Sequence, residues 1–140
     1  MFKVRIRRNQ ITGKTTNLHE YRFFSPKSLS MVIAYSTWAR DYAKWLEGED
    51  WVKSFEPNIP LDRRRYGLVL PADIRKAYFD TDWMSDFRII RTDGRTLIRE
   101  VATRAQLGKR SSLEKLEFSR RYWKDTDIDS WGIVIMGDDL

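Results

Sequence analysis

The chain has 140 residues, 41% of them hydrophobic, which is enough for one buried core and excludes a disordered polymer. It has no cysteine and a single histidine, His19. That excludes disulfides and thiolate zinc sites, disfavours Ser-His catalysis and two-histidine metal centres, and leaves carboxylates as the ligands for any metal, which favours hard cations such as magnesium or manganese. No apolar run reaches membrane-spanning length and no secretory pattern opens the sequence, so a reducing, cytoplasmic setting is expected. The formal net charge of +6 suits a polyanionic partner, most simply nucleic acid.

The first residues alternate. Phe2, Val4 and Ile6 fall on one side, and Lys3, Arg5 and Arg7 on the other. This is the period of a half-buried strand with a basic outer face. The charges suit either a protected edge strand or one that contacts phosphates. "NQITGK" reads as a turn and "HEYRFF" as a short strand, with His19 an ordinary loop or strand residue. From Ser36 a helix is expected, because Tyr35, Trp38, Tyr42, Trp45 and Leu46 recur at three- and four-residue steps. Ser36 is the candidate N-cap and Gly48 the candidate C-terminal cap. A capping box calls for Glu or Gln at position 39, and Ala39 stands there.

"WVKSFEPNIPL" reads as a strand entering a proline-bounded turn. Further strands are expected at 66–70, 74–79 and 85–90. Asp93-Gly94 marks a hairpin into "LIREVAT". "AQLGKRSS" is expected to be a polar loop, and Ser112 to cap a helix over 113–124 with Leu113, Leu116, Phe118, Tyr122 and Trp123 apolar. "WGIVIM" reads as a last buried strand. This order predicts an α/β domain spanning 1–140, with a mixed sheet flanked by helices. Residues 1–30 supply basic N-terminal strands and 31–137 the core. Trp38, Trp45 and Trp123 are expected in the core, and "GDDL" as a solvated tail.

Two acids stand out. Asp86 opens one strand of the hairpin and Glu100 lies late in its partner, so a tight turn between them brings both toward one point. A carboxylate in an apolar run is costly unless paired or bound to a cation. A magnesium ion takes one or two carboxylates and fills its shell with water and phosphate. Spacing alone equally suits a carboxylate paired with Arg88, Arg99 or Arg104, and from the pattern alone that pairing is favoured.

"SDFRI…REV", followed by "LEKLEFSRRYW" and "IDSWGIVI", resembles the N-terminal catalytic domain of the TnsA family, the endonuclease subunits of heteromeric bacterial transposases. "YSTWARDYAKWLEGEDWVKSFEPNIPL" also fits, so the resemblance covers roughly residues 30–137. It implies a restriction-endonuclease-like fold with a PD-(D/E)xK site. It also implies cleavage at the 5′ ends of a transposon with Mg2+ or Mn2+, a DDE-type transposase cutting the other strand, and an AAA+ regulator. The resemblance matches Asp86 to the central metal-binding aspartate and Glu100 to the second acidic position. The family's lysine falls at Ala102 and its helical glutamate at Ala39. Two of the four motif positions are therefore alanine. Loss of both groups is expected to remove most hydrolysis, since both serve one transition state. Retention of Asp86 and Glu100 points to an engineered inactive variant over natural decay, because decay would be expected to erode them too. Arg104 is the candidate substitute for the lysine, able to clamp phosphate but not to act as a base.

Arg63, Arg64 and Arg65, with Lys109 and Arg110, suit a solvated surface, and phosphate contact beside a nuclease cleft. Lys115 either faces the site or belongs to a surface ion pair with Glu114 or Glu117, and the surface is favoured. Alternatives to the transposon reading are a phage head-completion nuclease and a non-catalytic DNA-binding or assembly subunit. The family often carries a further C-terminal domain, so the chain is expected to be a one-domain member or a shortened one.

Overall fold

The computed structural model describes residues 20–137, together with the backbone pairing of β1 (Arg7–Arg8) and β2 (Thr15–Thr16). β1 and β2 are antiparallel, Arg7 opposite Thr16. The expectations for Lys3, Arg5, His19 and the last three residues lie outside the described residues, as does the side chain of Arg7.

β3 (Tyr21–Ser25) and β4 (Ser30–Ala34) form an antiparallel hairpin. The sequence pattern pointed to the first strand but not to β4. The hairpin turn is pinned to the next strand: Ser28 Oγ donates to the Phe55 carbonyl at 2.5 Å, and Lys27 Nζ donates to the carbonyls of Glu49 and Val52.

α1 (Thr37–Glu47) begins as expected, with Ser36 Oγ accepting the Ala39 N–H at 3.0 Å, and it ends at Gly48. Its buried positions are Arg40, Tyr42, Ala43 and Leu46. Tyr35 and Trp45 are about half exposed, contrary to expectation for Trp45, which instead stacks on Tyr42 and meets Trp51 edge-on. Trp38 is half-buried.

β5 (Val52–Pro60), β6 (Met84–Arg91), β7 (Thr96–Thr103) and β8 (Ser130–Met136) make a four-stranded mixed sheet in that order. The first three are antiparallel and β8 runs parallel to β7. Gly94, at φ 89, supplies the left-handed turn residue of the β6–β7 hairpin. A parallel neighbour requires a crossover, which α2 (Arg104–Leu107) and α3 (Arg110–Trp123) provide. The domain is thus α/β with a mixed sheet, an additional hairpin and helices.

Alternation along β7 divides the core. Leu97 and Val101 join Tyr42, Leu46, Phe55, Phe87 and Ile89 on the α1 side. Ile98 joins Tyr66, Phe118, Tyr122 and Trp123 on the α3 side.

Three expectations fail for physical reasons. The strands expected at 66–70 and 74–79 are 3-10 turns, Arg63–Leu68 and Lys76–Asp80. Asp62 starts the first by accepting the Arg64 N–H, and Tyr66, Val69 and Ile74 turn inward onto α3. The loop at 105–112 contains α2, closed by a capping box between Thr103 and Gln106, and α3 starts at Arg110 rather than after Ser112. Leu113 is exposed, while Glu114 and Ser119 take buried positions on that helix. β8 is an edge strand with Ile133 and Ile135 exposed, so only one of its faces is covered.

Candidate functional site

The site forms where the central hairpin comes apart. β6 and β7 share register from Ile90–Thr96 to Phe87–Arg99. Past that pair, side chains replace the ladder. The Val101 N–H donates to Asp86 Oδ2 at 2.7 Å, and the Asp86 N–H donates to Glu100 Oε1 at 2.9 Å. Each carboxylate thus satisfies a backbone donor at the parting of the two strands. Ser119 of α3 donates to Glu100 Oε2, and its Oγ accepts from Trp131 Nε1 at 2.9 Å. Ser85 Oγ lies 3.3 Å from the same hydroxyl and accepts from Trp123 Nε1.

Glu100 is therefore buried without a cationic partner among the described residues, held by N–H and O–H donors. The pairing with Arg88, Arg99 or Arg104 that spacing allowed is not made. Arg88 reaches Glu56 at 3.4 Å. Arg99 lies against β8, donating to Ile98 and Ser130, and the lack of a Cβ on Gly132 admits its guanidinium.

Burial, and next the negative charge of Glu100, push the Asp86 carboxyl up to about 7, against the opposing pull of the Val101 N–H and the Lys115 ammonium. Two acids this close share a site that a proton or a cation relieves.

Asp86, Glu100, Ala102, Gln106, Lys115 and Ser119 line one cavity of about 140 Å³. Ile98, Glu100 and Ala102 are all buried on the same face of β7, as their spacing predicted. Ala39 is not among the lining residues. It packs against the core cluster of Tyr42, Leu46 and Phe87 on the other side of the sheet.

For a metal, the donor set is two carboxylates, and among the described residues no three acidic or histidine side chains converge. That set suits a hard cation that keeps most of its water and takes phosphate oxygens. It does not suit one that needs a full protein cage.

The basic residues divide. Arg104 and Lys109 are exposed at the start of the crossover, with no ion pair among the described residues, but Arg104 does not line the cavity. Arg63 pairs with Asp82 at 3.3 Å, Arg64 with Asp62 at 3.0 Å, and Arg110 with the buried Glu114 at 2.7 Å. Arg65 lies over the Tyr122 ring. The triple-arginine run is thus largely engaged within the protein.

Lys115 is exposed, as favoured, but the expected ion pair is not made: Glu114 is taken by Arg75 and Arg110, and Glu117 by Arg120 and Arg121. Lys115 also lines the cavity, the other placement the sequence allowed. The signal for it was the helical step to Ser119, a polar residue on the stripe of Leu116, Tyr122 and Trp123 that α3 buries.

The reason for reading the two alanines as engineered also weakens. It assumed that nothing but catalysis would keep Asp86 and Glu100, yet Asp86 holds a backbone donor and Glu100 holds a backbone and a hydroxyl donor. No protein-family profile matches the chain, and no curated protein does. No helix among the described residues is long and apolar enough to cross a membrane.

Proposed function

We propose that the chain is a restriction-endonuclease-like domain that engages duplex DNA, a TnsA-like subunit of a heteromeric transposase whose hydrolytic centre is depleted. The observation that carries this reading is that Asp86, Glu100 and Ala102, the positions matched to the family's two acids and its strand lysine, line a single cavity where β6 and β7 part. Arg104 and Lys109 lie exposed at the crossover that follows β7, and in this reading they meet the phosphate backbone.

In this reading Asp86 and Glu100 hold Mg2+ or Mn2+, which when bound supplies charge neutralisation at the phosphodiester and polarises water. Glu100 is kept in place by Ser119 and the Asp86 N–H, so its orientation is fixed before DNA arrives. Ala102 presents a methyl group where a lysine would reach the phosphate, so hydrolysis by the chain as it stands is slow. By the resemblance, the substrate is the transposon end, and the partners are a DDE-type transposase and an AAA+ regulator.

A second reading, a non-catalytic DNA-binding or assembly subunit, is favoured by the structural work the two carboxylates do. Fluorescence anisotropy with duplex DNA tests what the two readings share. Plasmid nicking by Ala102→Lys separates them: the first reading expects nicking in Mn2+ that Asp86→Asn abolishes, and the second expects binding without nicking.

A further inference from the structure

Lys115 is held as a working cation would be. It sits one helical turn before Ser119, whose hydroxyl binds Glu100, so both side chains look from α3 into the same cavity. Its ammonium lies 5.6 Å from the centre of the Trp83 ring, and Trp83 is itself anchored by its Nε1 donating to the Tyr78 carbonyl at 2.8 Å. It has no carboxylate within ion-pair distance among the described residues, although the helix on which it sits carries two glutamates. β7 lines the same cavity with Glu100, Val101 and the methyl of Ala102, and supplies no cation to it.

We infer that Lys115, supplied from α3, takes the place of the lysine missing from β7 and contacts a non-bridging oxygen of the DNA phosphate bound at this cavity. The inference rests on the proposed nuclease reading. In the step it serves, a water oxygen bonds to phosphorus as the bond from phosphorus to the leaving sugar oxygen breaks. That oxygen departs with the electron pair and takes a proton from solvent, and the attacking water gives its proton to solvent. Lys115 stays protonated throughout and acts only by stabilising negative charge on the phosphate.

Two measurements on the full chain test it. In EDTA, anisotropy with a labelled duplex compares wild type with Lys115→Ala, Lys115→Arg and Lys124→Ala, the last an exposed lysine at the far end of α3. Lys115→Ala is expected to weaken binding about three- to tenfold, Lys115→Arg to recover most of it, and Lys124→Ala to change it by less than about twofold.

In Mn2+, slow plasmid nicking by wild type is expected to fall about 100-fold in Lys115→Ala, but only a few-fold when the same change is made in Ala102→Lys, where the strand lysine is restored. Lys115→Ala binding and nicking like wild type overturns the inference and leaves the nuclease reading standing. A wild type that binds DNA and never nicks, while Ala102→Lys does, overturns it as well. Absence of duplex binding by every variant, wild type included, overturns the nuclease reading itself and the inference with it.

Discussion

Asp86 and Glu100 are joined through the backbone: Asp86 Oδ2 accepts the Val101 N–H, and Glu100 Oε1 accepts the Asp86 N–H. The pair replaces ladder bonds that the diverging strands cannot make, and it aims both carboxylates at one cavity. Structure and chemistry therefore compete for the same oxygens.

That competition has a pH signature. The folded state holds a proton on Asp86 up to about pH 7, whereas the unfolded chain releases it near 3.8. Between those values the folded state binds more protons, so this group makes stability fall as pH rises and level off above about 7. Asp86→Asn removes the effect, and its benefit is expected to grow by at most roughly 1 kcal/mol per pH unit across that window. Urea unfolding at pH 4.5, 6 and 8 checks this. A difference between variant and wild type that does not change with pH contradicts it.

Ser119 ties three partners together. Its hydroxyl donates to Glu100 and accepts from Trp131, with Ser85 close by. Ser119→Ala leaves a buried carboxylate short of a donor and an indole N–H without its acceptor. A loss of about 1–3 kcal/mol in chemical unfolding is expected. A loss under a few tenths of that size would show that water replaces the hydroxyl.

Gly132 and Arg99 form a steric pair. A Cβ at 132 would lie 3.2 Å from Arg99 Nη1, and the backbone there needs no left-handed conformation. Gly132→Ala should therefore cost about 1 kcal/mol by displacing the guanidinium. Arg99→Ala should relieve much of that cost, so the double-mutant cycle is expected to be non-additive. Strict additivity would place the cost elsewhere.

Legibility followed local chemistry. The Ser36 cap, the Gly94 hairpin and the inward face of Ile98, Glu100 and Ala102 could all be read from short-range pattern. The 3-10 turns could not, because apolar runs such as 66–70 look strand-like until no neighbouring strand pairs with them. β4 was missed because a five-residue strand with an exposed Met31 carries little alternation signal. For Lys115 the sequence left the surface and the site both open, because Glu114 and Glu117 offered it partners. Arg110, Arg120 and Arg121 compete for those acids at helical steps the sequence shows, while Arg75 reaches Glu114 only through the fold. The resemblance led to Asp86, Glu100 and Ala102, and packing added the α3 side of the cavity.

The central claim is that the cavity between β6, β7 and α3 is a nuclease centre lacking part of its machinery. The most direct measurement is Mn2+-dependent nicking of a supercoiled plasmid by Ala102→Lys, with duplex affinity measured on the same preparation. The account predicts that the folded variant binds DNA and nicks it at least about 100-fold faster than wild type, and that adding Asp86→Asn abolishes the gain. A folded Ala102→Lys variant that binds duplex DNA and nicks no faster than wild type contradicts it.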